Sequence, residues 1–563
     1  MEKKSLNNFY TKNYSYLILI FIIAISFIYQ LSLFLLYPYS YGVDGAYYDL
    51  NVKNILETGL MWSDDNPFVF YYFALWSMFL SNVTLGIKIG ITTLCSLIPL
   101  PTFFIIRKIT KNNIAALFGA FVSTFNPLLF RMMGDFVKNS VGVLFMLCFT
   151  YFFIITCEKK HSLKKSILYY GLSLLFLILT IFTHIYPTGF IVGFVFIYLI
   201  YSIIYSLVVF KKLPWSEIKI ISFLTISAGC IILIGYFISP EYFDQFSKIY
   251  QFVNGLLHFS LRFPVFKQPP KEMPDIWLNP VIISILGIIT ISGIIIIVID
   301  LIKKRKSPKY IQYIGFYLII YFPIYLIVPN ISKIPSPFPL PQNPIFDLLN
   351  LLTTFPVAAG ISLICFEIYR NKNDKILNRI KGSIIAIFLM STLLSLSFIP
   401  FEWRTRFEIM NFVPISLLIG YSLKKLNMGK KRLAAIFIIG FYSTSMIIQT
   451  NYFCFYSFQP ILTHGGEEDL LYLKNYVESN SSLAGSIVLV QDLGIYYFTI
   501  LITGLNAKKS GNPDELALEY NETIFEIIPN MGPHIFLPPD VKIIRNETYG
   551  QFIIILANET FHD

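Results

Sequence analysis

Apolar runs dominate this chain. They recur near 16–36, 85–106, 114–130, 140–157, 166–183, 187–210, 217–238, 280–302, 310–328, 348–369, 382–400, 409–423 and 433–450. A helix that crosses the hydrocarbon core of a bilayer takes about 20 such residues. The sequence therefore predicts an α-helical polytopic membrane protein with about 13 transmembrane helices, give or take one or two because several runs are short. Composition agrees: 55% of the 563 residues are hydrophobic and only 14% are charged, against about 25% charge in an ordinary soluble domain. Soluble enzymes, disordered chains and coiled coils are excluded. The first run is too long for the apolar part of a signal peptide and no small-residue cleavage site follows it, so it is expected to remain in place. No repeat of fixed period is visible, which gives no support to an inverted-repeat transporter or a solenoid. Of the six cysteines, Cys95, Cys148, Cys157, Cys230 and Cys365 lie in apolar runs, and no CxxC pair or disulfide framework is present.

The formal charge of +11 needs dividing before it means anything. With the N-terminus placed on the cytoplasmic side, 28 of the 44 Lys and Arg residues fall in inner segments, and every inner loop has at least three. The positive-inside rule is set by such residues in short loops. The expected topology is therefore N-terminus inside and C-terminus outside, in a cell membrane. The inner segments carry a net +22, the outer loops −3 and the tail beyond residue 450 −9. The surplus is a cytoplasmic skirt of solvated anchors and not a nucleic-acid footprint.

Residues 1–450 read as the transmembrane domain, with outer loops at 37–84, 239–279 and 329–347. The second of these contains an amphipathic stretch, Phe243, Phe246, Tyr250, Val253 and Leu257, suited to an interface. The third has six prolines and is expected to be extended and stiff. Residues 451–563 contain no spanning run and read as a small extracytoplasmic α/β domain. Glu468 to Val477 is patterned as an amphipathic helix, while Ser486 to Gln491 and Gln551 to Ala557 read as buried strands. His464-Gly465-Gly466-Glu467 reads as a linker turn. Four N-x-S/T triplets begin in the tail, at Asn480, Asn521, Asn546 and Asn558, and two more, at Asn82 and Asn330, fall on the predicted outer side.

Charged groups at membrane depth are costly and are candidates for function. On the outer side, acids collect just beyond span ends: Asp44, Asp49, Asp135, Glu402 and Glu408. Arg131, Lys138, His184, Arg404 and Arg406 join them at the same depth. The first loop reads Gly42-Val43-Asp44-Gly45-Ala46-Tyr47-Tyr48-Asp49-Leu50-Asn51 and continues through Ile55-Leu56-Glu57-Thr58-Gly59. Asp44 suits a general base for an acceptor hydroxyl or amine, or a ligand for a hard divalent cation such as Mg or Mn. It also suits a plain helix cap. Asp135, in Arg131-Met132-Met133-Gly134-Asp135-Phe136-Val137-Lys138, is open to the same alternatives, although three charges in one short loop exceed what a cap needs. The Glu402-Trp403-Arg404-Thr405-Arg406-Phe407-Glu408 segment can hold a phosphate through the planar fork of an arginine, or simply pair within the interface. His184 reads more readily as a span-end histidine than as a ligand. The 54 Phe and 37 Tyr residues could line a prenyl groove, but belt and bundle packing account for most.

An Asp soon after span one, a charged loop between spans three and four, a late Arg at a span end and an outer C-terminal domain together resemble the GT-C glycosyltransferase superfamily. The first-loop segment, Asp44 to Asn51 with Ile55 to Gly59, resembles that of oligosaccharyltransferase catalytic subunits. The span layout equally resembles protein O-mannosyltransferases and lipid A aminoarabinose transferases. The resemblance implies glycosyl transfer from a polyprenyl-phosphate or polyprenyl-diphosphate donor to a protein, lipid or glycan acceptor on the outer face. It implies Asp44 and Asp135 as catalytic or metal carboxylates. It further implies Arg131, Lys138, Arg404 and Arg406 at the lipid phosphate, with Asp49, Glu402, Glu408 and His184 at the acceptor or in support. The WWDYG acceptor-reading motif of oligosaccharyltransferases is missing, and Gln491-Asp492-Leu493-Gly494-Ile495-Tyr496 is its nearest echo. Two rivals remain in view. A transporter or flippase of a lipid-linked or anionic substrate predicts charges midway along broken spans. A scaffold anchored by its membrane part needs far fewer spans.

Overall fold

The structure, a computed structural model, describes residues 2–158, 162–238, 292, 295, 312–321, 344–370, 375–394, 406–407, 409–424, 432–458, 460–509, 519–520, 522–530, 542–547 and 550–558. Glu402, Arg404 and Glu408, the loop at 239–279, all but the start of a helix in the proline-rich loop and the expected span at 280–302, apart from two of its residues, lie outside them. Among the described residues, six helices are long and apolar enough to cross a membrane. A further pair, Asn113–Thr124 and Pro127–Asp135, passes together but is bent by 43°. Many side chains on the long helices point outward and are apolar, such as Phe21 (64% exposed), Phe196 (62%) and Phe237 (82%). A lipid environment accounts for that surface.

The described helices that build the first half are α1 (Glu2–Phe34), α2 (Gly45–Thr58), α3 (Phe68–Leu80), α4 (Val83–Cys95), α5 (Pro99–Thr110), α6 (Asn113–Thr124), α7 (Pro127–Asp135), α8 (Val137–Thr156), α9 (Leu163–Thr183), α10 (Ile185–Phe210) and α11 (Trp215–Ile238). The loop expected at 37–84 is thus largely helical. Its thirteen-residue apolar helix α3 packs against α4, and thirteen residues are too few to register as a span. The run expected at 114–130 is also not one straight helix. Asn126 accepts a bond from the Leu128 N–H at 3.0 Å and Pro127 occupies the first turn, so the chain restarts as α7.

Beyond residue 343 the helices are α12 (Pro344–Arg370), α13 (Lys375–Leu394), α14 (Phe412–Ser422) and α15 (Arg432–Ser457). Lys381, expected as a solvated anchor, is instead fully buried. Its ammonium lies 2.9 Å from Glu367 on α12, and Glu367 also accepts from the Tyr421 hydroxyl at 2.7 Å. A charge so removed from water must be paired, and the pair ties α12, α13 and α14 together.

The C-terminal residues form α16 (His464–Glu478), β1 (Ile487–Val490), α17 (Leu493–Thr503), β2 (Asn506–Lys508), β3 (Ile524–Pro529), β4 (Lys542–Asn546) and β5 (Phe552–Asn558). The strands make one sheet in the order β2-β1-β3-β5-β4, parallel between β2, β1 and β3 and antiparallel across β3, β5 and β4. His464 to Glu467, expected as a linker turn, is the first turn of α16, capped by Thr463 accepting from the Gly466 N–H at 3.2 Å. The core beneath the sheet contains Leu470, Leu473, Val488, Val490, Phe498, Phe525 and Ile554, and also Ala46 of α2. The first loop and the sheet therefore share a core.

Candidate active site

Asp44 stands on a segment that is fixed on both sides. Before it, the Lys88 ammonium donates to the carbonyls of Tyr37 (2.6 Å) and Pro38 (3.2 Å). After it, Asp49 of α2 is fully buried and accepts from the Ser40 hydroxyl and from Thr84 at 3.2 Å. Burial pushes the Asp49 carboxyl up to about 6, against the Ser40 and Thr84 bonds and the Lys88 charge, which lower it. Between these anchors Gly42 adopts φ +73°, and a Cβ there would lie 2.3 Å from the Gly134 carbonyl oxygen. Only glycine tolerates both the left-handed backbone and that approach.

Asp44 occupies the N-cap position of α2, yet its side chain makes no capping bond. Its surroundings are electrostatic. Burial raises its pKa above the usual carboxylate range, the charges of Lys138 and Arg406 pull it down, and those of Asp135 and Asp65 push it up. Four charged side chains from different elements thus converge on Asp44.

Asp135 ends α7 and is not the cap of α8, whose N-cap is Phe136. Its carboxylate pairs with Arg131 at 2.7 Å, one helical turn earlier, and accepts from the Val43 backbone N–H. The residue preceding Asp44 is therefore bonded directly to Asp135.

Lys138 opens α8. Its ammonium pairs with Asp65, a residue that the sequence reading did not single out. Asp65 also accepts from the Tyr47 hydroxyl at 2.7 Å. The ammonium lies 5.5 Å from the Phe70 ring centre and 5.9 Å from that of Tyr47, while the Lys138 backbone N–H donates to the Tyr48 hydroxyl at 3.3 Å. The Asp64-Asp65-Asn66-Pro67 run ahead of an aromatic-rich segment was the available signal.

Arg406 lies over the rings of Tyr186 (4.8 Å) and Phe136 (5.1 Å). His184 is buried, caps α10 by accepting from the Tyr186 N–H at 3.2 Å and stacks on the Tyr186 ring. It supports the ring on which Arg406 rests. From the C-terminal residues, Tyr497 of α17 brings its ring within 5.2 Å of Tyr47 and 6.3 Å of Trp62. Tyr497 feels the charges of Asp44 and Asp65, and sequence reasoning missed it as well.

Among the described residues no group of three or more His, Cys, Asp and Glu side chains is arranged to hold a metal ion. The carboxylates here suit a divalent cation poorly. Asp135 is engaged by Arg131, Asp65 by Lys138, and Asp44 faces Lys138 and Arg406.

This architecture, a helical membrane body whose first loop meets a C-terminal mixed sheet over a charged cluster, shares its fold with solved archaeal oligosaccharyltransferase structures. Archaeoglobus fulgidus oligosaccharyltransferase, in a structure tethered to an acceptor peptide with an NVT sequon, superimposes with a TM-score of 0.59 at 11% identity, covering 93% of this chain and 70% of that one. The same organism's oligosaccharyltransferase AglB, in complex with an inhibitory peptide and a dolichol-phosphate, gives a TM-score of 0.58 at 11% identity over 92% of this chain and 69% of that one. ArnT from Cupriavidus metallidurans bound to undecaprenyl phosphate fits loosely, with a TM-score of 0.39 at 9% identity over 96% of this chain and 97% of that one, a likeness too weak to argue from. No protein-family model matches the sequence, and no curated protein matches it.

Proposed function

We propose that this protein is an integral membrane glycosyltransferase that moves a sugar from a polyprenyl-phosphate or polyprenyl-diphosphate donor to an acceptor on the outer face of the membrane. The N-terminus is cytoplasmic, residues 1–450 form the membrane domain and residues 451–563 an extracytoplasmic one. The observation that carries this reading is the meeting of Asp44 with the opposite charges of Lys138 and Arg406. A base beside two cations is what direct displacement at an anomeric carbon requires.

In that reaction an acceptor hydroxyl or amine gives its proton to the Asp44 carboxylate and its lone pair bonds to the anomeric carbon. The bond from that carbon to the donor phosphate breaks, and the electron pair leaves on the lipid phosphate. Lys138 and Arg406 stabilise the charge that develops there. Asp135 holds Val43, and through it the backbone beside Asp44, while Arg131 fixes Asp135. A phosphate is a good leaving group, so positioning and charge stabilisation account for most of the catalysis. Arg404, Glu402 and Glu408 belong to the same segment as Arg406 and are assigned to the donor and acceptor sides by that proximity. The acceptor is a protein, a lipid or a glycan. The tethered peptide and dolichol-phosphate in the archaeal oligosaccharyltransferase structures make peptide acceptors and dolichol-type donors the first to try.

The transport alternative asks for charges midway along the spans. Here the charges of the cluster sit at the start of α2, in the loop after it, at the junction of α7 and α8 and at Arg406, ahead of α14. Incubating membranes that contain the protein with labelled polyprenyl-linked sugars, and identifying the molecule that gains label, tests the reading. Transfer that is undiminished in Asp44→Asn would sink the site assignment, and lipid translocation without transfer would favour the transporter.

A further inference from the structure

The cluster around Asp44 has a property that goes beyond the transfer reaction itself. Among the described residues, Asp135 and Asp65 are each paired with a cation of the chain, and Asp44 faces two. The Arg131 guanidinium is 2.7 Å from Asp135. The Lys138 ammonium is bonded to Asp65 and held over two rings. Arg406 is carried on Tyr186 and Phe136. A divalent cation seated on Asp44 and Asp135 would displace Arg131 from its partner and would stand close to Lys138 and Arg406. Like charges in a partly desolvated site repel strongly, and the Arg131–Asp135 pair would be given up as well.

We infer that Lys138, fixed by Asp65, Tyr47 and Phe70, is the built-in counter-cation of this site, so that glycosyl transfer proceeds without a divalent metal. This rests on the glycosyltransferase reading above. The ammonium needs no recruitment from solution, because α8 delivers it and the first loop holds it. Asp65 acts through Lys138 and is a positioning residue. Its second partner, the Tyr47 hydroxyl at 2.7 Å, donates to Oδ2, the oxygen that the lysine also binds. The metal's usual task at a transferring phosphate, drawing off negative charge, falls to side chains whose positions are set by folding, which is the preorganisation that makes such charges effective.

The test uses the full-length protein purified in nanodiscs, with a labelled polyprenyl-phosphate sugar as donor. The expected result is transfer that is unchanged, within about twofold, by excess EDTA or by added manganese. Lys138→Met is expected to lose about 100-fold or more in rate, and Lys138→Arg to retain more than Lys138→Met, with melting temperatures recorded for both. Manganese titrated onto the wild-type protein and followed by electron paramagnetic resonance should show no saturable site. Abolition of transfer by EDTA with recovery on adding manganese overturns the inference, as does a saturable manganese site that Asp44→Asn removes. If no polyprenyl-linked sugar is transferred under any condition, the glycosyltransferase reading fails, and the manganese titration still decides whether the carboxylates hold a metal.

Discussion

Lys138 and Asp65 form a buried ion pair across 73 residues of sequence. The pair joins the start of α8 to the loop that follows α2, and it lies beside Asp44. Removing one partner of a buried pair strands the other charge and costs about 3–5 kcal/mol. Asp65→Asn is therefore expected to lower the melting temperature and to slow transfer, because Lys138 loses its fixed position. Asp65→Glu should restore part of both. A variant that melts early yet transfers at the wild-type rate would separate stability from positioning.

Asp44 must be ionised to take a proton, and burial raises its pKa above the ordinary carboxylate value of 3.8. The rate of transfer should therefore rise with pH along an acid limb displaced to higher pH than an exposed aspartate would give. Asp44→Asn should abolish that limb and lower kcat by about 10²–10⁴-fold, the usual contribution of a positioned base. A pH profile of kcat/KM for the two proteins decides the point.

Asp49 offers a prediction about stability alone. Its folded pKa of about 6 exceeds the ordinary 3.8, so the folded state binds the extra proton. Stability is then fully present below about pH 4, and it is lost as pH rises through the folded value, at a cost of about 3 kcal/mol by neutral pH. Asp49→Asn keeps the shape without the charge. It is expected to melt higher than wild type at pH 7 and no higher at pH 4, as read by thermal melts in detergent.

Far from the site, Glu367 neutralises the buried Lys381 at 2.9 Å. Glu367→Gln should destabilise the protein by about 3–5 kcal/mol, whereas a Glu367→Met, Lys381→Met double variant should recover most of the loss. A double variant whose loss equals the sum of those of Glu367→Met and Lys381→Met alone would mean that the pair does not couple. Transfer rates measured below the melting temperature should be unchanged in each of these variants.

Gly42→Ala forces a side chain toward the Gly134 carbonyl from a φ of +73°. The strain of a non-glycine residue in that region is about 1–3 kcal/mol, and relief comes only by moving the strand that leads to Asp44. The expected outcome is a large loss of kcat with a modest fall in melting temperature.

Much of the site was legible because charges stand out in an apolar chain. Asp44, Arg131, Asp135, Lys138 and Arg406 could all be named from their places at span ends. The reason they meet was not legible. Asp65 sits before α3, a helix too short to count as a span, so its segment read as plain loop. Tyr497 reaches Tyr47 from 450 residues away, a contact that no local pattern encodes. The bend between α6 and α7 hid in a run of continuous hydrophobicity, since its cause is the Asn126-Pro127 pair and not a break in apolarity. Lys381 looked like its neighbours in a basic loop, and only the partner on another helix reveals its burial.

Ala46 lies in the core beneath the C-terminal sheet, two residues from Asp44. The loop that carries Asp44 is therefore completed by residues some 400 positions later in the chain. Packing beneath the Asp44 segment is complete only once the C-terminal sheet has closed on α2.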